Sequence, residues 1–347
     1  MKAKILYNLQ YISLAGLGTI NHPHFILSND NSIRDGFYTE SILKYFGEQI
    51  KNYNKNYAFI YAEIEFNATD KNRNEILEEM MRVSSSNLDY VQSFLSFFWF
   101  TKDNSITITD SLITIPEINE AVMSNIKLVS YTCAGATINT TFTIEEVKYT
   151  MDIYERFGNI LIALGKNIQS LRGEIEIEKN EDGAFLHATE NKIGVINYES
   201  YNCVDRALHF LSIARKERHP AFRISFYVPI LESLFTTDKY AVTHKVCERV
   251  ASYLEEGKDE RKELYNFIDT AYNTRSTFLH GQKFSKDDLN RISEENEAKR
   301  LDEIIRACLL MVMLCDYEIF TGLKPKGNST KKTIEIRGDY LKYLMFS

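Results

Sequence analysis

Two periodicities share the first part of the chain, and one governs the later part. Tyr57 to Phe66 (YAFIYAEIEF) and Ser105 to Ile115 (SITITDSLITI) are rich in aromatic and β-branched residues and predict strands. Between them Ile76, Met80 and Val83 stand at helical spacing, which predicts a helix over Arg73 to Phe100, interrupted at Ser84, Ser85 and Ser86. The run from Phe94 to Phe100 (FLSFFWF) is the most apolar in the chain and predicts core or an interface. It is far shorter than the roughly 20 apolar residues of a membrane span, a length no stretch approaches. Thr143 and Glu146 form the T-x-x-E pair of a helix start. Val147, Met151, Tyr154 and Leu161 follow at helical spacing, in a helix expected to link the two halves. Glu174 to Lys179 (EIEIEK) alternates as an edge strand does, and Asn180 to Gly183 (NEDG) reads as a turn.

From Tyr201 to Phe320 the pattern is helical throughout. Val204, Leu208 and Leu211 mark a first helix, and the almost wholly apolar Phe222 to Phe235 (FRISFYVPILESLF) a buried second one, with a kink expected at Pro229. Val246, Val250, Tyr253 and Leu254 mark a third, ending near Gly257, and Leu264, Ile268, Tyr272 and Leu279 a fourth. Ser285 with Asp288 can cap a fifth, carrying Leu301, Ile304, Ile305, Cys308, Leu309 and Val312. Lys331 to Ser347 returns to strand-like composition. The expectation is an α+β protein in which a mixed strand and helix domain (1–195) precedes an all-α bundle (196–322) and a strand-like tail (323–347). The boundary is expected near residue 195.

Composition narrows the function classes. A chain of 347 residues is comfortable for two domains and needs no disulfide or metal staple. Its five cysteines are odd in number and lack C-x-x-C spacing, so neither a disulfide framework nor a zinc ribbon is suggested, and a reducing cytoplasm fits best. Met1 to Gly18 lacks the apolar core and small-residue cleavage site of a signal peptide. A net charge of −7 argues against a protein that coats nucleic acid through bulk charge. An enzyme touching a few phosphates in one cleft stays open.

Candidate chemistry gathers on the fourth helix. Its apolar face runs 264, 268, 271, 272, 275 and 279, yet position 275 is Arg275. A guanidinium there is costly unless it has a partner or lines a cleft. His280 follows five residues later with Gly281 next, the commonest residue just past a helix end. A proton-transferring histidine in a last turn, near an arginine that is always charged, suits phosphoryl transfer. Ideal helix geometry sets positions i and i+5 about 140° apart, so convergence needs arginine reach, a loosened last turn or a second copy. Glu232 is the only acid on the apolar second helix. The plain alternative is a buried Glu232–Arg275 pair that joins two helices and a histidine that merely ends one. Arg249 is expected to pair with an acid on a neighbouring helix.

Elsewhere His22 and His24 (HPH) read as a turn, and His209, His219 and His244 as surface or satisfied histidines. Cys308 and Cys315, seven apart, read as core, and Arg215, Lys216 and Arg218 as a solvated helix end.

Asn273 to Gly281 (NTRSTFLHG) resembles the R-x4-6-H motif of HEPN domains. The flanks are similar to the ApeA-like branch linked to abortive phage infection: Ile230-Leu231-Glu232-Ser233-Leu234 on the second helix, Glu248-Arg249-Val250-Ala251 on the third, then Arg275-Ser276 and His280-Gly281. The likeness covers about residues 200–320. Ser276 stands where many active members carry Asn, Asp or His, and Gln282 where toxin members carry a tyrosine. The resemblance implies a helical bundle that dimerises through this domain and cleaves RNA, tRNA included, without metal or cofactor. His280 would be the general acid or base, Arg275 would hold the scissile phosphate with Glu232 orienting it, and Ser276 and Thr277 would add hydrogen bonds. It also implies an antiviral role in which the first domain answers a phage-derived or cellular trigger. Two other readings remain open: a non-catalytic module for dimerisation or for binding RNA or protein, and a toxin held by a separate antitoxin.

Overall fold

The computed structural model describes residues 1–16, 18–55, 57–124, 129–169, 175–180, 183–188, 201–293, 297–322 and 330–346. The chain is α+β, with an antiparallel six-stranded sheet in its N-terminal part and helices dominating its C-terminal part. It divides into two compact units, Met1–Glu155 with Arg215–Arg223, and Arg156–Ala214 with Ile224–Ser347. The boundary expected near residue 195 lies outside the described residues.

The first unit holds β1 (Lys2–Gln10), β2 (Ile12–Leu14), β3 (Thr19–His22), β4 (Phe25–Ser28), α1 (Asn31–Phe37), α2 (Glu40–Phe46), α3 (Gln49–Asn54), β5 (Ala58–Glu65), α4 (Arg73–Thr101), β6 (Thr107–Ile115), β7 (Glu120–Ser124), β8 (Thr140–Phe142) and the start of α5 (Ile144–Gln169). The sheet order is β3-β4-β5-β1-β6-β7, with β1 central. Leu6 pairs with Tyr61 and Leu112, so all three point to one face. There Leu6, Phe59 and Leu112 pack with Phe37, Tyr38, Ile42 and Ile50 of α1–α3. Tyr7 points the other way and donates to Asn87 Oδ1 of α4 at 3.0 Å. Helices thus cover both faces. The expected turn at His22 and His24 is the β3–β4 hairpin, where His22 stacks on Phe25.

α4 begins with a reciprocal cap between Asn72 and Glu75 and runs unbroken to Thr101. The interruption expected at Ser84 does not occur, because the Ser84 hydroxyl donates to the Met80 carbonyl one turn back and stays within the helix. Phe94, Phe97, Phe98, Trp99 and Phe100 are buried, as the pattern required. The α5 start is the expected cap, with Thr143 N donating to Glu146 and Glu146 N donating to Thr143.

The second unit continues α5 and adds β9 (Ile175–Asn180), β10 (Gly183–Ala188), α6 (Cys203–Ala214), most of α7 (Pro220–Phe235), α8 (Val242–Leu254), α9 (Lys258–Leu279), α10 (Lys286–Ser293), α11 (Glu297–Leu314), α12 (Tyr317–Thr321) and α13 (Thr330–Phe346). β9 and β10 pair as a hairpin with Asn180 opposite Gly183. α7 runs through Pro229 as one element, and its Tyr227, Val228, Ile230, Leu231, Leu234 and Phe235 are fully buried. The fifth helix expected from Ser285 is two elements, α10 and α11, with 294–296 outside the described residues. The tail expected as a strand is helical. In α13, Arg337 and Leu341 are buried one turn apart, and Tyr340 donates to Asp316. The β-branched Thr333, Ile334 and Ile336 suggested a strand, but β-propensity is weak against tertiary packing.

Candidate active site

α9 carries the two residues singled out in the sequence. Gly257 is its N-cap, and Asp259 and Glu260 in the first turn suit the positive end of the helix dipole. Leu264, Ile268, Ala271, Tyr272 and Thr274 are its buried residues. The helix ends in a complete Schellman motif, with Gln282 N donating to Thr277 O and Gly281 N to Phe278 O, each at about 3 Å. Gly281 takes the left-handed conformation at φ 67°, and a Cβ there would meet open space. Glycine is therefore required by backbone conformation rather than by crowding. His280 is the C-cap residue and is exposed. Leu279, expected on the buried face, is 56% exposed as the last residue of α9.

Arg275 lies half-buried, with its side chain 30% exposed. Its Nη1 stands 3.7 Å from Oε1 of Glu232 on α7, whose side chain is 27% exposed. That is an ion pair longer than a hydrogen bond. The Arg275 Nε is buried with no hydrogen-bond partner. Tyr272, one turn earlier on α9, is buried. Burial and then the facing Glu232 carboxylate push the Tyr272 phenol well above its usual range. Glu232 is thus approached by a guanidinium and a phenol from the same helix. Ser276 is exposed and Thr277 half-buried, and their carbonyls accept the N–H groups of His280 and Gln282. Among the described residues no hydrogen bond or ion pair joins Arg275 to His280. The structure brings together Arg275 and Glu232, and leaves His280 on its own at the helix end.

Two polar supports flank this site. On α9 itself, Thr274 donates to the buried Glu297 Oε2 at 3.1 Å, and Arg291 Nε donates to the same oxygen at 3.1 Å. Burial raises the Glu297 carboxyl above its usual range, whereas hydrogen bonds from Ser285 and Arg291 hold Asp288 down at about 2. At the end of α7, Arg249 donates to Phe235 O at 2.5 Å and Thr237 Oγ1 at 3.2 Å, and Arg337 donates to Thr236 O at 2.7 Å. Arg249 was expected to pair with an acid. Its hydrogen bonds go instead to these acceptors, because the last carbonyls of a buried helix need donors.

Tyr272, Thr274, Glu297 and Arg337 went unnoticed as site supports. Tyr272 and Thr274 carry a local trace, polar groups on or beside an apolar face, whereas Glu297 and Arg337 owe their roles to tertiary placement. Arg215, read as part of a solvated helix end, is buried and donates to Asn104 O at 2.7 Å, while Lys216 and Arg218 are exposed. Cys308 is core, but Cys315 lies past the end of α11 and is exposed. His244 shares a hydrogen bond with Tyr265 at 2.9 Å. Among the described residues no cluster of three or more His, Cys, Asp or Glu side chains is arranged to hold a metal ion, and no helix is long and apolar enough to cross a membrane. Comparisons with protein-family models, curated proteins and solved structures gave no match.

Proposed function

We propose that the helical unit is a HEPN-type endoribonuclease that cuts RNA without metal, in defence against phage by abortive infection. The observation that carries this reading is the half-buried Arg275, paired with Glu232 and five residues ahead of an exposed His280 that ends the same helix. The ribose 2′-oxygen attacks the adjacent phosphorus as the bond to the 5′-oxygen breaks, leaving a 2′,3′-cyclic phosphate. His280 moves a proton at one of these oxygens as general acid or base. Arg275 stabilises the charge that builds on the phosphoryl oxygens, and Glu232 sets the guanidinium's direction. Ser276 and Thr277 add hydrogen bonds. The wide angle between positions 275 and 280 favours a cleft completed by a second copy of the chain, and exposed Leu279 and Leu289 near the same helix end support a homodimer there.

A non-catalytic module is favoured by a different observation, the ion pair that already occupies Arg275 while His280 stands apart. One experiment separates the two. Total RNA incubated with the protein in chelator should be cut by wild type, leaving cyclic phosphate ends, and spared by Arg275→Ala and by His280→Ala. RNA left intact by wild type, even in phage-infected lysate, would favour the module.

A further inference from the structure

Phe278 and Phe284 stand on either side of the turn that carries His280. Their rings are nearly parallel, inclined by 11°, with centroids 6.4 Å apart. Among the described residues the other phenylalanine pairs cross at 45° or more. The rings of those pairs are buried, whereas Phe278 and Phe284 are each only half-buried. The turn between the two is fixed at both ends. On one side Gly281 N donates to Phe278 O and Gln282 N to Thr277 O, and on the other Asp288 N donates to the Ser285 hydroxyl. Phe278 follows Arg275 by three residues, so the two share a face of α9, while Leu279 points about 100° away. Charge follows the same segment. No acid occurs between Asp269 and Asp287, where Arg275, His280, Lys283 and Lys286 stand, in a chain of net charge −7. Lys283 and Lys286 are exposed, as is Asp287, and Asp288 is held by Ser285 and Arg291.

We infer that the Phe278–Phe284 pair is a stacking site for an unpaired base of single-stranded RNA, beside the phosphate that Arg275 holds. Two parallel, partly open rings present flat π-surface, on which any nucleobase can stack. A base inside a duplex is already stacked and paired, so the site selects loops, bulges and ends over helical stems. A strand with its base on Phe278 carries its backbone past Arg275, the neighbour of that ring on the helix face. Lys283 and Lys286 supply positive charge for the flanking phosphates. The choice of RNA as ligand rests on the nuclease reading, but the stacking itself is measured without cleavage.

The full chain is tested with two uncleavable probes of equal length and charge, a short 2′-O-methyl oligoadenosine and an abasic sugar–phosphate strand. Wild type should bind the strand with bases roughly tenfold more tightly, the scale of one base–aromatic stack. Phe278→Leu and Phe284→Leu should each erase that preference, and Phe284→Trp should keep it. Lys283→Ala combined with Lys286→Ala should weaken both strands alike. Should Phe278→Leu not fold, Phe284→Leu is read alone, since Phe284 lies in the connection between α9 and α10 rather than inside a helix. A preference that survives Phe284→Leu, or none in wild type, overturns the proposal. Binding of polyglutamate that Phe284→Leu weakens, with no preference for bases, would give the pair to an acidic protein partner and overturn it too. Total RNA in chelator separates this site from the nuclease reading. A base preference carried by the pair, with no RNA cut, keeps the stacking site and loses the nuclease. RNA cut by wild type without any base preference keeps the nuclease and loses the site.

Discussion

At the residue scale, the end of α9 depends on one backbone conformation. Gly281 sits at φ 67° with nothing near its would-be Cβ. Gly281→Ala should therefore cost about 1–2 kcal/mol through backbone conformation alone, read as a lowered Tm, with no clash to relieve. This stop was legible because helix ends are written locally: a glycine follows the last helical residues whatever else packs around them. Arg275 was legible for the opposite reason, as a charge standing in an apolar stripe. Tyr272 was not, because a tyrosine in that stripe looks like core until the carboxylate it faces is known. Glu297 was hidden similarly. Sequence places it at the head of α11 but not beside Thr274 of α9.

Elements were legible where the signal stayed within a few residues. The caps at Thr143 and Ser285 appear as read, with reciprocal hydrogen bonds at both. Errors came where distant packing outweighed local preference, as when three serines failed to break α4 and β-branched residues failed to keep α13 extended. α7 shows the converse, a helix whose apolar sequence is plain but whose end is secured by arginines from α8 and α13. Arg249→Met would leave the Phe235 carbonyl without its donor inside the core. A loss of about 1–3 kcal/mol is expected from one buried unpaired group, measurable as a lowered urea midpoint. An unaltered midpoint would mean that Arg337 alone suffices to secure the helix end.

For the whole molecule, the α+β class was readable from the change of periodicity, but the sheet order was not. β1 is the central strand, yet its partners β5 and β6 lie far along the chain, and pairing across such distances leaves no local mark. The assembly is a matter at the same scale. If the helical unit acts as a homodimer through the end of α9, Leu279→Glu should shift the protein towards monomer in light scattering at micromolar concentration and abolish RNA cleavage together with it. Dimer retained with full cleavage would put the contact elsewhere.

The abrupt halt after His280 also fixes a phase. Each residue of an α-helix advances about 100° around its axis and 1.5 Å along it. A single codon inserted between Arg275 and Leu279 would therefore swing the imidazole roughly a quarter-turn away while leaving every cap and core contact before it intact. The number of residues between guanidinium and imidazole thus sets the angle between them about the helix axis, and with it whether one cleft can be lined by both from a single copy.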